Sequence, residues 1–427
     1  MPAIFKQPTR IHGARLLLIW LLVGCQPIAA PPAAGGGQLA YIGGDGNVYI
    51  TSADRQSKTA ITQDATTATE GRGRSYHRVA WSPDGWLAFA AVERAQDVMR
   101  SELFVAAPNF HQAQMVGSSE DNFVIYLYWS PVPCATSHAC HRLAYLIGNN
   151  TDITLRLVEV NGEGTSNREI GAGRPLYFSW AAQGEQLLWH AGGARRSDPT
   201  AQLALYRVAD GQVQLLPYPP GYFVAPAWSP TDDAWLAVIE TTRGMALRYV
   251  DANSAGKTLL QTPNEITFVW SPDGQRIAYA ARFYGADPFY GPIYVYDVAT
   301  GKSRRLTDVG LHVQAFFWSP DGARIGYLNW LALPNESWAQ WRTYELATGQ
   351  DRGFNAFNPS FSMRMMIGSF NQYAQSERLW SPDGRYLTYA DRDRTLVERV
   401  WLVDTLAAKG APPLLVDEGS LGVWSWQ

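Results

Sequence analysis

The apolar positions from residue 39 onward fall into short runs separated by turn residues, which is the pattern of β-strands rather than helices. One type of run recurs eight times as a Leu or Ile, a mostly small residue and then, in most copies, an aromatic ring. A second type alternates apolar and polar residues, as in residues 293–297 and 400–404, and a more polar run such as 303–307 follows. Only residues 369–378 suggest a helix. The eight copies begin at Leu39, Leu87, Leu143, Leu187, Leu236, Ile277, Ile325 and Leu387.

Each strand of this kind, except that at Leu39, follows a Trp-Ser-Pro-Asp-Gly sequence or an altered copy of it. Complete copies occupy residues 81–85, 270–274, 318–322 and 380–384, and altered copies begin at Trp129, Trp180, Trp228 and Trp424. Pro presets φ for the second turn position, Asp bonds to its own backbone, and Gly accepts positive φ. The sequence therefore predicts that the repeated Asp residues shape turns and that the repeated Trp residues pack between strands. The four Asp residues are Asp84, Asp273, Asp321 and Asp383.

The Trp residues recur every 42 to 62 residues, and each unit holds four short strands, which is the signature of propeller blades. The chain begins with a unit that has no Trp strand and ends with a Trp strand that has no followers. We therefore expect residues 421–427 to pair with the first unit and to close the ring, because closure removes an exposed strand edge. The resulting prediction is an all-β, eight-bladed propeller of four-stranded blades.

The order of these motifs resembles the WD40-like (PD40) repeats of TolB, of tricorn-type proteases and of the propeller domain of dipeptidyl-peptidase-IV-type enzymes. The resemblance extends over the chain from residue 39. It implies a propeller, and such propellers serve as binding platforms, substrate gates or, occasionally, enzymes. The matching residues are the repeat framework, so no partner of TolB is implied for this chain.

The first 38 residues predict export and a lipid anchor. Lys6, Arg10 and Arg15 precede an apolar run over residues 16–23, and Gly24 and Cys25 follow in an order that resembles the lipobox of bacterial lipoproteins. We expect a signal peptide over 1–24, lipidation at Cys25, a flexible Pro/Ala/Gly tether over 25–38 and the propeller over 39–427. The alternative is an ordinary secretory signal. Either interpretation places the mature protein outside the cytoplasm, and the lipid anchor places it in the bacterial cell envelope.

Composition narrows the class of partner. The net charge is −3, only 17% of residues are charged and no long basic run occurs, so nucleic acid is not an expected partner. Cys134 and Cys140 lie close to His138 and His141, which suggests either a metal site or a disulfide. Export and the short spacing favour the disulfide. No metal and no cofactor are expected.

Catalytic motifs are absent from the sequence. No Gly-x-Ser-x-Gly or His-Glu-x-x-His string occurs, and the positions one and two before each Trp hold no carboxylate and no His. Three positions before each Trp, Arg78 and Glu377 are the only charged residues. A surface position is the expectation for both, with the channel mouth as the alternative. No catalytic residue is therefore predicted, and the hydrolase activities of the resembling enzymes are not expected.

The remaining candidates are loop residues, mostly aromatic, on one face of the propeller. Exposed rings on loops of a rigid scaffold indicate a recognition surface, whereas rings that pack long loops onto the scaffold would have no such role. A basic loop over residues 72–77 would add hydrogen-bond donors. The candidate ligand-binding residues are Tyr222, Phe223, Phe283, Tyr284, Phe289, Tyr290, Trp330, Trp338, Arg72 and Arg74.

These observations predict a membrane-tethered, non-catalytic binding or scaffold module for a protein, peptide or glycan. The alternative is a propeller enzyme, of lyase or cyclase type, that acts on cell-envelope glycans or peptides through loop carboxylates such as Asp287 and Glu336. A third hypothesis is a sensor or assembly subunit of a transporter or secretion system.

Overall fold

The fold was taken from a computed structural model. It describes residues 37–427 apart from residues 70–71, 97, 111, 135–139, 163, 194–197, 253–254, 283–288 and 334–335. The chain divides into residues 1–35 and residues 36–427. The predicted signal peptide, Cys25 and nearly all of the tether lie outside the described residues. Among the residues that are described, no helix has the length and apolar character needed to span a membrane.

The Trp-Ser-Pro-Asp-Gly segments form the predicted turns. In the copy that begins at Trp270, the Ser271 hydroxyl donates to the Asp273 carboxylate and accepts from the Arg276 amide at 2.9 Å. The Asp273 carboxylate also accepts from the Gln275 amide at 3.1 Å, and Gly274 has a φ of +67°. Serine and aspartate together thus satisfy the turn backbone, as these residue types do in tight turns. The turn explains the repeated Asp without any functional role.

Six sheets each form one blade from consecutive antiparallel strands, as the four-part repeat predicts. The first blade has five strands, with β5 and β6 as its longest hairpin. The others have four. The strands of the first blade are β4 (Thr66–Thr69), β5 (Arg72–Trp81), β6 (Leu87–Ala95), β7 (Val98–Ala106) and β8 (Ala113–Glu120). Those of the second are β9 (Phe123–Trp129), β10 (His141–Gly148), β11 (Ile153–Asn161) and β12 (Gly164–Gly173). Those of the third are β13 (Leu176–Trp180), β14 (Gln186–Ala191), β15 (Gln202–Arg207) and β16 (Val213–Leu215).

The next three blades repeat the same meander. The fourth has an inner strand of only two residues. The strands of the fourth blade are β17 (Ala227–Trp228), β18 (Trp235–Thr241), β19 (Gly244–Val250) and β20 (Gly256–Thr262). Those of the fifth are β21 (Ile266–Trp270), β22 (Arg276–Ala281), β23 (Tyr294–Asp297) and β24 (Lys302–Arg305). Those of the sixth are β25 (Val313–Trp318), β26 (Arg324–Leu333), β27 (Glu336–Glu345) and β28 (Asp351–Phe357).

The seventh sheet corrects the predicted blade number, because the described chain forms seven blades and not eight. It has six strands in the order β29-β30-β31-β1-β2-β3 and unites the two chain ends. The long strand β31 pairs with β30 through its first half and with β1 through its second half. The last repeat and the first unit therefore share one sheet. Its strands are β1 (Gln38–Gly43), β2 (Val48–Ser52), β3 (Lys58–Ala60), β29 (Tyr386–Arg392), β30 (Glu398–Asp404) and β31 (Leu414–Trp424).

The C-terminal strand closes the ring as the sequence predicted. Leu39 pairs with Trp424, and Ala40 pairs with Val423. Beyond the strand, the Ser425 amide donates to the Gln38 carbonyl at 2.7 Å. These contacts leave neither terminal strand of the propeller as an open edge.

A belt of hydrogen bonds links the innermost strands. In six of the repeats the Trp indole N–H donates to the carbonyl of the residue just before the Trp of the preceding repeat. The six bonds are Trp81 to Val423, Trp129 to Ala80, Trp180 to Tyr128, Trp270 to Ala227, Trp318 to Val269 and Trp380 to Phe317, at 3.0–3.2 Å. The repeated Trp residues are therefore core between blades. Within the described residues, the indole nitrogens of Trp228 and Trp424 have no partner.

A helical insertion between β28 and β29 packs into one end of the central channel. It contains α1 (Phe361–Gly368) and α2 (Phe370–Tyr373), so the predicted helix over residues 369–378 is wrong in its extent. The Ser360 hydroxyl caps α1 by accepting from the Met363 amide at 3.2 Å. Helix α1 lacks a strong apolar periodicity, and its fold depends on burial of Met363 and Met366 among the blades.

The insertion contacts the inner strands of the blades around the channel. The buried Gln372 side chain accepts from the Phe178 amide at 3.0 Å and donates to the Phe178 carbonyl at 2.8 Å. The Tyr126 hydroxyl donates to the Gln372 carbonyl at 3.1 Å, and the Phe370 ring packs on Phe316 at 5.0 Å. On the far side, the Ser360 hydroxyl donates to the Ser420 carbonyl. We call residues 359–376 the plug.

Candidate functional site

A cavity of about 320 Å³ lies on the channel axis, on the side of the Trp-Ser-Pro-Asp-Gly turns. Its floor is the end of the plug and the residues that follow it, including Ala374, Gln375, Glu377 and Arg378. Its rim holds four partly or fully exposed prolines, so the cavity opens on this face. The prolines are Pro131, Pro230, Pro272 and Pro320. The walls are formed mainly by Trp180, Trp228, Trp270, Trp318, Trp380 and Trp426.

Glu377 is the buried acid of this floor. The residue is only 4% exposed, and its Oε2 has no hydrogen-bond partner among the described residues. The Glu377 amide donates to the Tyr373 carbonyl at 2.7 Å, which fixes its backbone to the plug. Burial raises the pKa of the Glu377 carboxyl to about 7, and the Arg78 guanidinium partly opposes this shift. The carboxyl therefore changes charge near neutral pH.

Arg378 is the basic residue of the same floor. Its guanidinium carbon lies 3.6 Å from the centre of the Trp426 ring, which is close cation–π geometry. Its Nε has no hydrogen-bond partner in the described chain. Burial lowers the pKa of Arg378 to about 10, against an opposing effect of the Tyr128 hydroxyl. Arg378 therefore remains charged at neutral pH.

The expectation that Arg78 and Glu377 lie on the surface is wrong. Arg78 is half-buried, donates to the Ile125 carbonyl at 2.9 Å and to the Tyr373 hydroxyl at 3.3 Å, and so binds the plug to the second blade. Glu377 is the more buried of the two and lines the cavity. The sequence signal was the position of both residues just before a repeat Trp. Nothing local showed that residues 359–376 fold back into the channel.

The predicted aromatic residues lie at the plugged side. The Phe223 ring packs between Tyr177, at 4.8 Å, and His190, at 5.0 Å, while Tyr222 packs on the core of the fourth and fifth blades. The Tyr290 ring meets Phe370 of the plug at 6.0 Å. These rings thus support loops and plug, and each retains partial exposure.

A second group of predicted rings lies beside Tyr290. Phe289 stacks on His312 at 5.1 Å and lies 6.0 Å from Trp330, whose ring also receives the Arg364 guanidinium at 5.6 Å. Trp338 is half-buried on β27. Phe283, Tyr284 and Asp287 lie outside the described residues, as does the side chain of Glu336. The binding role of this face stays a prediction.

The basic segment over residues 72–77 is a strand and not a loop, which corrects the sequence expectation. It forms the start of β5 and pairs with β6, with Arg72 opposite Ala95. Arg74 is held in ion pairs with Glu102, at 2.8 Å, and Asp64, at 2.9 Å. The positive charge of Arg74 is therefore paired with carboxylates in or beside the first blade. Arg72 is exposed.

Cys134 and Cys140 are joined by a disulfide, with their Cα atoms 5.2 Å apart. The Cys134 amide donates to the Cys140 carbonyl at 2.9 Å, so the bond closes the enlarged turn after Trp129. Their sulfur atoms lie within 4.8 Å of a Glu159 oxygen. Because the two sulfurs are bonded to each other, they do not offer the thiolates that a metal would need. His138 lies outside the described residues.

A wider depression of about 680 Å³ lies near the edge of the second and third blades. Its charged residues pair with one another, Arg142 with Glu185 at 2.9 Å and Arg168 with Glu159 at 2.8 Å. These ion pairs balance the charges of both arginines, although Arg142 Nε has no hydrogen-bond partner among the described residues. The axial cavity is the stronger candidate site, because the Arg378 guanidinium at its floor forms no ion pair within the described residues.

Comparison with known proteins supports the propeller fold. No protein-family model and no curated protein sequence matches the chain. Among solved structures, dipeptidyl peptidase 4 of Porphyromonas gingivalis has a TM-score of 0.53 at 11% identity, and covers 90% of this chain and 59% of its own. Oligogalacturonate lyase of Vibrio parahaemolyticus has a TM-score of 0.51 at 13% identity, with 87% of this chain and 98% of its own covered.

TolB proteins are also among the structural neighbours. TolB of Acinetobacter baumannii has a TM-score of 0.42 at 16% identity, with coverage of 80% of this chain and 83% of its own. The prediction of a β-propeller is confirmed by the sheet topology and by the neighbours with TM-scores above 0.5. At these identities the similarity concerns the fold alone. The neighbours include a peptidase and a lyase, so the fold does not distinguish a binding protein from an enzyme.

Proposed function

We propose that this protein is a non-catalytic binding module of the bacterial cell envelope that takes its ligand, or a segment of a partner, into the axial cavity. The observation that carries the proposal is the cavity itself, with indole walls, an open rim and floor atoms that are polar and have no partner among the residues that the structure describes. Concave sites of this kind, mostly apolar with a few convergent polar groups, are typical of ligand binding.

The titratable groups among the described lining residues fit binding better than catalysis. General acid–base chemistry needs two titratable groups of suitable pKa within reach of one substrate. Of the described residues that line the cavity, Glu377 alone is a carboxyl group and none is a His. Arg378 holds its proton at neutral pH and would act by charge rather than by proton transfer.

A fluorescent apolar probe tests the proposal. N-phenyl-1-naphthylamine should bind the wild-type protein saturably, and Ala182→Trp should weaken its binding at least tenfold. Ala182 lies on the cavity lining where other repeats have Pro. The matched control is Ala209→Trp, at an exposed turn of the third blade outside the cavity. Equal binding by both variants would contradict the proposal.

The envelope location rests on the sequence of residues 1–38, and we propose a lipid anchor at Cys25. Cys25→Ser should move the protein from the membrane fraction to the soluble fraction of cells and should remove the mass of the attached lipid. The control is Cys134→Ser with Cys140→Ser, which should leave the membrane association unchanged. A Cys25→Ser protein that stays in the membrane fraction would refute the anchor.

A second candidate is a propeller enzyme, favoured by one observation. A carboxyl with a pKa of about 7 at the floor of a cavity is the kind of group that proton transfer requires. An enzyme of this kind would turn over an envelope glycan or peptide, and Glu377→Gln would abolish the turnover. Binding without turnover of the same ligand would favour the binding module.

A further inference from the structure

We infer that the axial cavity selects a ligand in which an apolar ring or chain carries a carboxylate, and that the carboxylate pairs with Arg378. The inference rests on the proposed function and specifies the chemistry of its ligand. It derives from three features of the cavity: a guanidinium without an ion-pair partner in the described chain, an adjacent acid that is buried, and apolar walls.

The guanidinium of Arg378 differs from the other arginines that lie over repeat tryptophans. Arg276 lies over Trp318 at 5.3 Å and is paired with the Asp273 carboxylate at 3.2 Å. Arg324 lies over Trp380 at 5.1 Å and donates to the Gly384 carbonyl and to the Thr405 hydroxyl.

Arg378 has the closest contact with an indole ring of the three, yet it forms no ion pair within the described residues, and its Nε lacks an acceptor. Arg378 is partly buried, and a partly desolvated cation without an acceptor carries a cost that an anion paired with it recovers. The planar guanidinium suits a carboxylate because it can donate two parallel N–H bonds.

Glu377 does not block an anion at this site. It is adjacent to Arg378 in sequence, but its carboxyl interacts with the Arg78 guanidinium and with the Tyr126 and Tyr373 hydroxyls. Burial favours its neutral form, which has an O–H to donate. Below about pH 7, a ligand carboxylate at Arg378 therefore meets one fixed positive charge and a mostly neutral Glu377 carboxyl.

The walls of the cavity determine the size and polarity of the rest of the ligand. The cavity of about 320 Å³ has the volume of on the order of ten water molecules, which suits a body of one or two fused rings. The walls are largely indole, and the belt of hydrogen bonds fixes most of these rings in place. A rigid apolar wall favours an apolar body and has few free donors for a polyhydroxylated one.

Three probes of one shape test the inference: 2-naphthoate, 2-naphthamide and 2-naphthylmethylammonium. Titration calorimetry of the wild-type protein should show that naphthoate binds at least tenfold more tightly than the amide and the ammonium. Arg378→Met, which keeps the apolar stem, should remove this preference while the amide binds as before. The matched control is Arg276→Met, which should retain the preference.

The outcomes separate the inference from the proposed function. Equal binding of the three probes to the wild-type protein would overturn the carboxylate inference and leave the cavity as a binding site. Binding of none of them would contradict both. The wild-type comparison needs no variant, so it decides the inference even if Arg378→Met does not fold. Tighter binding of the ammonium would assign the floor charge to Glu377 instead.

Discussion

The two ends of the central channel are built from the same inner strands but differ in how their polar groups are satisfied. At the plugged end, the Gln372 side chain uses both its oxygen and its nitrogen on the Phe178 backbone. At the tryptophan end, Trp228 Nε1, Glu377 Oε2 and Arg378 Nε have no partner in the described chain.

This difference indicates where function lies in the propeller. Buried polar groups in folded proteins are nearly always paired, and exceptions include functional sites. Both ends leave some polar atoms without a partner in the described chain, including Asn371 Nδ2 of the plug, but only at the tryptophan end do such atoms belong to an acidic and a basic side chain that line a cavity. Substitutions at the plug should therefore cost stability, and substitutions at the cavity floor should alter ligand binding and pH dependence.

Removal of the C-terminal strand should have the largest effect, because both ends need a closed ring. Deletion of residues 420–427 removes the buried Leu421, Val423 and Trp424 and the pairing with β1. Loss of a buried leucine or tryptophan side chain costs about 2–5 kcal/mol, and the lost strand pairing adds to this, so the melting temperature should fall by more than about 10 °C.

Calorimetry or circular dichroism measures this fall. A control that lacks only Gln427, which is exposed, should melt close to the wild-type temperature. A deletion variant with the wild-type melting temperature would contradict closure by β31.

The next largest effect is expected in the plug. Phe370→Ala should destabilise the protein by about 3–5 kcal/mol, because the ring is fully buried against Phe316 and Tyr290. Phe361→Ala, in the same insertion but 67% exposed, should change stability by less than about 0.5 kcal/mol. Denaturant unfolding measures both. Equal effects of the two substitutions would mean that the plug does not pack in the channel.

A smaller and pH-dependent effect is expected at the cavity floor. The pKa of Glu377 is about 7 in the folded protein against an ordinary value of 4.5, so the folded state holds the proton more tightly. Stability from this group is full below pH 4.5 and is lost as the pH rises towards and beyond 7.

Glu377→Gln removes this loss. The change in unfolding free energy that the substitution causes should therefore be more favourable at pH 8 than at pH 4, by up to about 3 kcal/mol. Unfolding at both pH values measures the difference. Glu398→Gln, at a partly exposed acid that accepts from the Phe361 amide, provides a comparison outside the cavity. An identical effect of Glu377→Gln at the two pH values would refute the shifted pKa.

The sequence predicts the strands and the closure because both depend on local patterns. The turn after each Trp and the apolar run after each turn can be recognised residue by residue. The unmatched units at the two termini indicate that these units pair with each other. The blade number was wrong because residues 414–424 form one uninterrupted strand with two partners. No local pattern shows whether a strand continues from one repeat into the next.

The cavity was missed for a related reason. Glu377 and Arg378 precede Trp380 in a segment that has no marked periodicity, and their burial results from the plug, which lies far in sequence from most of the strands that it contacts. The loop rings near Phe223 and Phe289 were visible as aromatic clusters. Much of their surface packs on neighbouring rings and on the plug, which only the tertiary structure reveals.

The ligand should bind at the tryptophan end of the channel. A crystal structure of the protein with 6-bromo-2-naphthoate locates the ligand without bias, because bromine gives an anomalous signal. We expect one bromine peak within the axial cavity, among Trp180, Trp270 and Trp318, with the carboxylate at Arg378. A peak beside Phe223, Phe289 or Trp338 at the plugged end would contradict it.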